Sequence, residues 1–121
     1  CPEMVMARAV DELAAKTPGK RSLAMEGFAK ALRMIPTIIC ENAGLDSSEI
    51  VSQLRACHAD AAVRSNMGVD IITGETGDMV KNGITECFRV KQQILLSGTE
   101  AAEMIIRVDD IIKCAPRQRE E

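Results

Sequence analysis

The residue types needed for ligand chemistry are concentrated in the segment from Gly68 to Lys91. It contains glycines at positions 68, 74, 77 and 83 and three charged residues near its expected element boundaries, Asp70, Glu86 and Lys91. Glycine lets a backbone approach a ligand closely. A carboxylate can accept hydrogen bonds from both hydroxyls of a ribose, and a lysine can neutralise a phosphate or that carboxylate. These residue types are the ones that a contact with a ribose or a phosphate requires.

The same segment also fits a solvated loop in which the glycines only form turns. Glu86 and Lys91 are five residues apart, so on an ideal helix they need not face each other. They meet only if Glu86 precedes the first helical turn. The sequence contains no Walker A motif, no GxGxxG and no Ser/His/Asp set. Spacing alone favours the solvated loop over a ligand contact.

The cysteines and the single histidine do not form a metal or disulfide pattern. The five cysteines are odd in number, and no two form a CxxC pair. Cys57 and His58 are adjacent, and neighbours on a helix point in different directions, so we interpret them as an ordinary pair on a helix surface. We expect no metal site and no catalytic residue in this chain. Unpaired cysteines favour a reducing, cytoplasmic location.

The composition predicts a folded domain built mainly from helices. Apolar residues make up 46% of the 121 residues and charged residues 27%, which is an ordinary soluble balance. A net charge of −3 and only two aromatic residues, Phe28 and Phe88, argue against a nucleic-acid partner. No apolar run reaches the ~18 residues of a membrane span, so we also expect no membrane partner.

Hydrophobic periodicity predicts four helices and a small β element. The expected helices are Pro2 to about Lys16, Ser22 to Asn42, Asp46 to about Ala61, and Cys87 to Val108. Gly44 is expected to close the second helix as a C-cap, and the capping-box pattern at 46–49 predicts Asp46 as the N-cap of the third. The second helix is expected to kink at Pro36 rather than to end there, because its apolar stripe continues beyond that residue. The stripe consists of Ala24, Phe28, Ala31, Ile35, Ile38 and Ile39.

Short β-branched runs predict the β element. Val69 to Thr73 is expected to be a strand or a hairpin arm, and Asp109 to Cys114 a short edge strand around Ile111 and Ile112. Asp78 is expected to cap a one-turn helix that ends at Asn82-Gly83. The predicted fold class is mainly α, a helical bundle with a small β element.

Short words in a fixed order closely resemble the C-terminal part of a group II chaperonin subunit of the eukaryotic cytosolic type. They are TPGK at 17–20, AKAL at 29–32, ENAG at 41–44, GVD at 68–70, GDM at 77–79, GITE at 83–86, RVK at 89–91 and RVDDII at 107–112. The similarity covers essentially the whole chain.

The resemblance implies the C-terminal half of a GroEL-like equatorial domain across residues 1–121, with 115–121 as a flexible tail. In that family the domain is assembled from both ends of the polypeptide, so we expect the chain to be a piece of a longer protein. The glycine-rich turn that contacts nucleotide would precede Cys1. The phosphate and magnesium loop and the water-positioning aspartate would also lie elsewhere in that longer protein.

The resemblance also implies roles for individual residues. Glu86 resembles the acid that grips the ribose, and Lys91 resembles a residue that contacts nucleotide or braces that carboxylate. Gly68, Val69 and Asp70 resemble the strand that borders the adenine. Separately, Asp78 resembles a structural cap rather than a catalytic acid, and Ile111 and Ile112 resemble a terminal strand that pairs within the ring. The loop from Ala61 to Met67 departs from the family by being slightly long.

The implied function is that of an ATP-dependent chaperone subunit in a hetero-oligomeric double ring. Its partners would be other chaperonin subunits and unfolded clients such as actin and tubulin. The full-length parent would be an ATP hydrolase that uses ATP/ADP with Mg²⁺, whereas this chain alone is expected to be inactive and to self-associate. The alternative is a stand-alone helical interaction module without a ligand, which would not need a glycine-framed strand leading to Glu86.

Overall fold

The computed structural model describes residues 1–59 and 66–114, which belong to two compact units, Cys1–Thr85 and Glu86–Glu121. The first unit contains α1 (Pro2–Lys16), α2 (Lys20–Asn42), α3 (Ser47–Cys57), β1 (Met67–Asp70) and β2 (Glu75–Asp78), and the second contains α4 (Phe88–Arg107). The mainly α fold class with a small β element is therefore confirmed. The expected helical position of Ala61 and the expected tail at 115–121 lie outside the described residues.

A small apolar core joins the three helices of the first unit. Met4 of α1, Cys40 of α2, and Ile50 and Leu54 of α3 form one buried cluster. Val69 of β1 packs against this cluster and is itself partly buried. Because the core uses one residue or two from each helix, it fixes α1, α2 and α3 together and anchors the hairpin to them.

The junction between α2 and α3 follows the signals in the sequence. The amide of Leu45 donates to the Cys40 carbonyl at 2.9 Å, and the amide of Gly44 donates to the Glu41 carbonyl at 3.0 Å. Gly44 has a φ of +73°, a conformation that glycine adopts without a Cβ clash. Asp46 Oδ1 then accepts from the amides of the next helix, so the predicted N-cap is confirmed.

The β element is a two-stranded antiparallel hairpin in which Gly68 pairs with Gly77. The predicted strand from Val69 to Thr73 has the wrong bounds, because β1 ends at Asp70 and the next four residues form the turn. Asp70 Oδ1 accepts the amides of Ile72 at 2.9 Å and Thr73 at 3.4 Å. This side-chain capping of the backbone outweighs the β propensity of the two isoleucines.

The predicted edge strand from Asp109 to Cys114 is wrong for the described part of the chain, where residues 108–114 have no regular secondary structure. A strand requires a neighbour that pairs with its backbone amides and carbonyls. Ile111 and Ile112 are 75% and 84% exposed. A β-branched pair without such a neighbour does not form a ladder.

Much of the apolar surface of the helices is exposed. In α2 the buried residues are Ala29, Leu32, Pro36 and Cys40, whereas the apolar stripe predicted from the sequence includes Phe28 and Ile38, 43% and 46% exposed. The two sets lie on different sides of the helix, about 100° apart at 3.6 residues per turn. No residue of α4 is buried. Within 1–59 and 66–114, no helix has both the length and the apolarity to span a bilayer.

We predict that the isolated chain self-associates, since exposed apolar helix faces gain free energy when they are covered. Light scattering over a concentration series should show a mass that rises above 13.1 kDa. A double substitution on α4, Ile105→Lys with Ile106→Lys, should shift the distribution towards the monomer. A monodisperse monomer at high concentration would contradict the prediction.

Candidate functional site

Glu86 and Lys91 form an ion pair at the start of α4. Lys91 Nζ lies 2.7 Å from Glu86 Oε2. The helix begins at Phe88 with Cys87 as its N-cap, so Glu86 precedes the first turn, as the five-residue spacing requires. The amide of Lys91 donates to the Cys87 carbonyl at 3.2 Å, which fixes the lysine one turn into the helix.

The local electrostatics favour a carboxylate at this position. The N-terminal end of a helix carries a partial positive charge, which stabilises a nearby acidic side chain. The side chains of Lys91 and Glu86 are 23% and 42% exposed. Solvent screening makes an ion pair of this exposure worth little to stability, so its main effect is to orient the carboxylate.

Packing against Met79 fixes the position of Gly68, the first of the three residues predicted to border the adenine. Gly68 is buried, and a Cβ added to it would lie 2.5 Å from Met79 Cγ, far inside van der Waals contact. Val69 packs on the apolar core. Gly68 therefore allows the close approach of Met79 to β1, a structural requirement that the sequence pattern does not reveal.

Asp70, the third of these residues, organises the hairpin through both carboxylate oxygens. Besides the two amides bound by Oδ1, its Oδ2 accepts from Asn82 Nδ2 at 3.0 Å. The backbone hydrogen bond from Ile72, with further bonds from Thr73 and Asn82, lowers the pKa of Asp70 below its ordinary value. Sequence reasoning missed the role of Asn82, because nothing local marks a contact across twelve residues.

The cap predicted at Asp78 is confirmed, but the one-turn helix predicted after it is wrong, because residues 79–83 form turns rather than a helix. Asp78 Oδ1 accepts the amides of Val80 at 3.0 Å and Lys81 at 3.2 Å, so Asp78 is a structural cap. The amide of Gly83 donates to the Val80 carbonyl at 3.1 Å, and Gly83 has a φ of +69°. This capped turn carries the chain from β2 towards Glu86.

The interpretation of His58 as a helix-surface residue is wrong. The residue is only 5% exposed, and its Nδ1 lies 2.8 Å from the Leu54 carbonyl oxygen. A histidine at the C-terminal end of a helix can pack inwards when it bonds the preceding turn of that helix. Its neighbour Cys57 is half-buried, and all five cysteines are free thiols.

The structure thus gives two sets of candidate residues, one in each compact unit. Gly68, Val69 and Asp70 are consecutive on β1, and Glu86 and Lys91 are paired at α4. Over residues 1–59 and 66–114, no three His, Cys, Asp or Glu side chains are grouped closely enough to hold a metal ion.

Comparison with known proteins identifies the family. The model of the TCP-1/cpn60 chaperonin family matches residues 1–116. The chain belongs to this family. It is 62% identical over 120 residues to T-complex protein 1 subunit beta of Arabidopsis thaliana and 58% identical over 119 residues to that of Homo sapiens. These matches cover 99% and 98% of this chain but only 22% of each relative, so the chain spans about a fifth of these chaperonin subunits.

A solved structure supports the same family. The open-state monomer of a group II chaperonin from Methanococcoides burtonii superposes with a TM-score of 0.81 at 37% identity, covering 88% of this chain and 26% of that one. The sequence-based resemblance to a group II chaperonin is therefore confirmed. The relatives named above are both beta subunits, so the similarity within the family is to subunit beta.

The Asp70 contacts predict a pH dependence of hairpin stability. Because its folded pKa lies below the ordinary value of 3.8, the carboxylate contributes its full stabilisation above pH 3.8 and loses it as the pH falls through the folded value. Carboxyl carbon NMR should give an Asp70 midpoint below 3.8. An Asp70→Ala variant should lose amide protection in the hairpin at pH 7, whereas Asp109→Ala should not. A midpoint at or above the ordinary value would contradict the account.

Proposed function

We propose that the chain is the C-terminal portion of the ATP-binding equatorial domain of a cytosolic chaperonin subunit, across residues 1–121. The observation that carries this proposal is the Glu86–Lys91 ion pair at the start of α4. It lies in the stretch where GITE at 83–86 and RVK at 89–91 resemble the family's nucleotide-contacting words. The match to the family model over residues 1–116 supports the same assignment.

Glu86 has the chemistry to bind the ribose of a nucleotide. A carboxylate has two oxygens and about four acceptor positions, and Lys91 engages Oε2. The remaining acceptor capacity suits two vicinal hydroxyls, which donate. Lys91 braces the carboxylate in this proposal, so that its orientation exists before the nucleotide arrives.

Gly68, Val69 and Asp70 are proposed to border the adenine in the full-length protein. The tight packing of Gly68 on Met79 and of Val69 on the core makes β1 a fixed edge. Because the Asp70 carboxylate is engaged by Ile72, Thr73 and Asn82, its contribution is to shape the hairpin. A flat base is accommodated best by backbone that does not move on binding.

ATP hydrolysis is proposed for the full-length protein and not for this chain alone. Phosphoryl transfer to water requires neutralisation of the phosphate charge and an in-line water. In the resembling family the phosphate and Mg²⁺ loop lies in the N-terminal part of the polypeptide. This chain would therefore supply adenine and ribose contacts and surface for ring assembly, while ATP or ADP and Mg²⁺ bind to the complete subunit.

The exposed apolar faces suit assembly with other parts of a larger machine. The α2 stripe and the residues of α4, none of them buried, offer apolar surface that other chains or domains can cover. We propose that these partners include other subunits of a hetero-oligomeric double ring, and that the whole machine folds clients such as actin and tubulin. A stand-alone interaction module is the second candidate, since the same exposed faces would serve it.

The test of the nucleotide proposal is a Glu86→Ala substitution in the full-length subunit. Loss of hydrogen bonds to a charged acceptor should weaken nucleotide affinity by roughly tenfold or more. Glu100→Ala is the matched control, because it removes an exposed glutamate from α4, more than three turns beyond the start of that helix. Affinity can be measured by titration with a fluorescent adenine nucleotide.

Lys91→Met separates bracing from direct contact with the nucleotide. If Lys91 only orients the Glu86 carboxylate, adding Lys91→Met to Glu86→Ala should weaken nucleotide binding no further than Glu86→Ala alone. A Glu86→Ala subunit that binds nucleotide as tightly as the Glu100→Ala control would overturn the assignment of Glu86 and favour the interaction module.

A further inference from the structure

The turn after β2 contains the one Asn-Gly pair of the sequence, Asn82-Gly83. The other two asparagines, Asn42 and Asn66, each precede a residue that has a side chain. An asparagine followed by glycine is the dipeptide most open to deamidation, because glycine has no side chain to obstruct attack by its own backbone nitrogen. This pair has no part in the nucleotide contacts described above.

The turn around the pair is open to water. Asn82 and Gly83 are both exposed, and a Cβ built on Gly83 would meet no atom within 4 Å. Solvent base therefore reaches the backbone nitrogen of Gly83, and water reaches the side-chain amide of Asn82.

Two hydrogen bonds nevertheless hold the reacting groups in the folded turn. Asn82 Nδ2, the nitrogen that would leave, donates to Asp70 Oδ2 at 3.0 Å. The amide of Gly83, the nitrogen that would attack, donates to the Val80 carbonyl at 3.1 Å. While the first bond persists, the side-chain carbonyl carbon of Asn82 does not turn freely towards the Gly83 nitrogen. The contact with Asp70 is therefore the point at which the fold controls the reaction.

We propose that Asn82 is a deamidation site that Asp70 restrains. The Gly83 nitrogen forms a bond to the side-chain carbonyl carbon of Asn82 and gives its proton to solvent base. The bond from that carbon to Nδ2 breaks, and Nδ2 takes up a proton and leaves as ammonia. Water then opens the cyclic imide at either carbonyl, which leaves aspartate or isoaspartate at position 82. Water is the one co-reactant, and nothing is oxidised or reduced.

The product cannot make the contact with Asp70. A carboxylate only accepts hydrogen bonds, so it faces the Asp70 carboxylate without a donor and repels it. Asp70 then keeps the backbone bond from Ile72, the main cause of its lowered pKa, but loses the bond from Asn82 that adds to it. Isoaspartate also lengthens the main chain of the turn by one carbon. Deamidation therefore releases the turn after β2 from β1.

The test follows the reaction in the folded chain by mass spectrometry of proteolytic peptides during incubation in mildly alkaline buffer. The peptide that contains Asn82 should change from amide to acid before those that contain Asn42 or Asn66. Asp70→Asn keeps an Oδ1 acceptor for the turn amides but replaces the oxygen that binds Asn82 with a donor. This variant should speed the reaction at Asn82 about fivefold, the effect of one hydrogen bond of ordinary strength.

Unfolding in urea supplies the control for the fold, because the contact with Asp70 is then absent. The wild-type chain and Asp70→Asn should react at the same rate in urea. A rate at Asn82 no higher than at Asn42 and Asn66 in the folded chain would overturn the proposal. An Asp70→Asn variant that reacts at the wild-type rate when folded, or that is accelerated equally in urea, would also overturn it.

The consequence for the hairpin is tested with Asn82→Asp, which reproduces one product. Carbon NMR should give its Asp70 carboxyl a higher midpoint than in the wild-type chain. Asn66→Asp, which adds the same charge at an exposed position just before β1, should leave the midpoint unchanged. Equal midpoints in Asn82→Asp and the wild-type chain would contradict release of the turn. None of these readouts uses a nucleotide, so they are independent of the proposed function.

Discussion

The structure of the first unit depends on one small apolar cluster, formed by Met4, Cys40, Ile50 and Leu54. It is small because three helices meet through only four buried side chains. The hairpin is attached to it through Val69. A core of this size covers only one face of each helix, so the other apolar faces remain exposed. The contact of Val69 with this core holds β1 in place, and the small size of the core leaves much of the apolar surface of α2 exposed.

Two different interactions fix the positions of Gly68 and Asp70 in the hairpin, which is itself anchored to the core. Gly68 allows Met79 to pack closely on β1, which leaves no space for a Cβ. Asp70 closes the turn and binds Asn82, so the segment after β2 is tied back to β1. In the second unit, Glu86 lies before α4 and its carboxylate is oriented by the ion pair with Lys91, an electrostatic interaction rather than a packing contact.

Local sequence signals predicted the elements that are governed by local physics. Asp46 capped α3, Gly44 ended α2, and the spacing of Glu86 and Lys91 required a carboxylate outside the first helical turn. Long-range contacts were not predictable in this way. The strand bounds shifted because the Asp70 side chain outweighed β propensity. His58 is buried because its Nδ1 bonds the Leu54 carbonyl oxygen in the preceding helical turn. Periodicity and composition indicate only a helical domain. The family could be predicted because short motifs such as GITE at 83–86 occur in the same order as in group II chaperonins.

The most direct test of the account is a nucleotide titration of this chain, with and without Mg²⁺, beside a longer polypeptide that restores the N-terminal half of the proposed domain. A fluorescent adenine nucleotide reports binding in both. The account predicts binding by the longer polypeptide and none by the 121-residue chain alone, because this chain supplies only part of the site. Binding by neither polypeptide would contradict the assignment of Glu86 and Lys91 as nucleotide contacts, and equal binding by both would contradict a divided site.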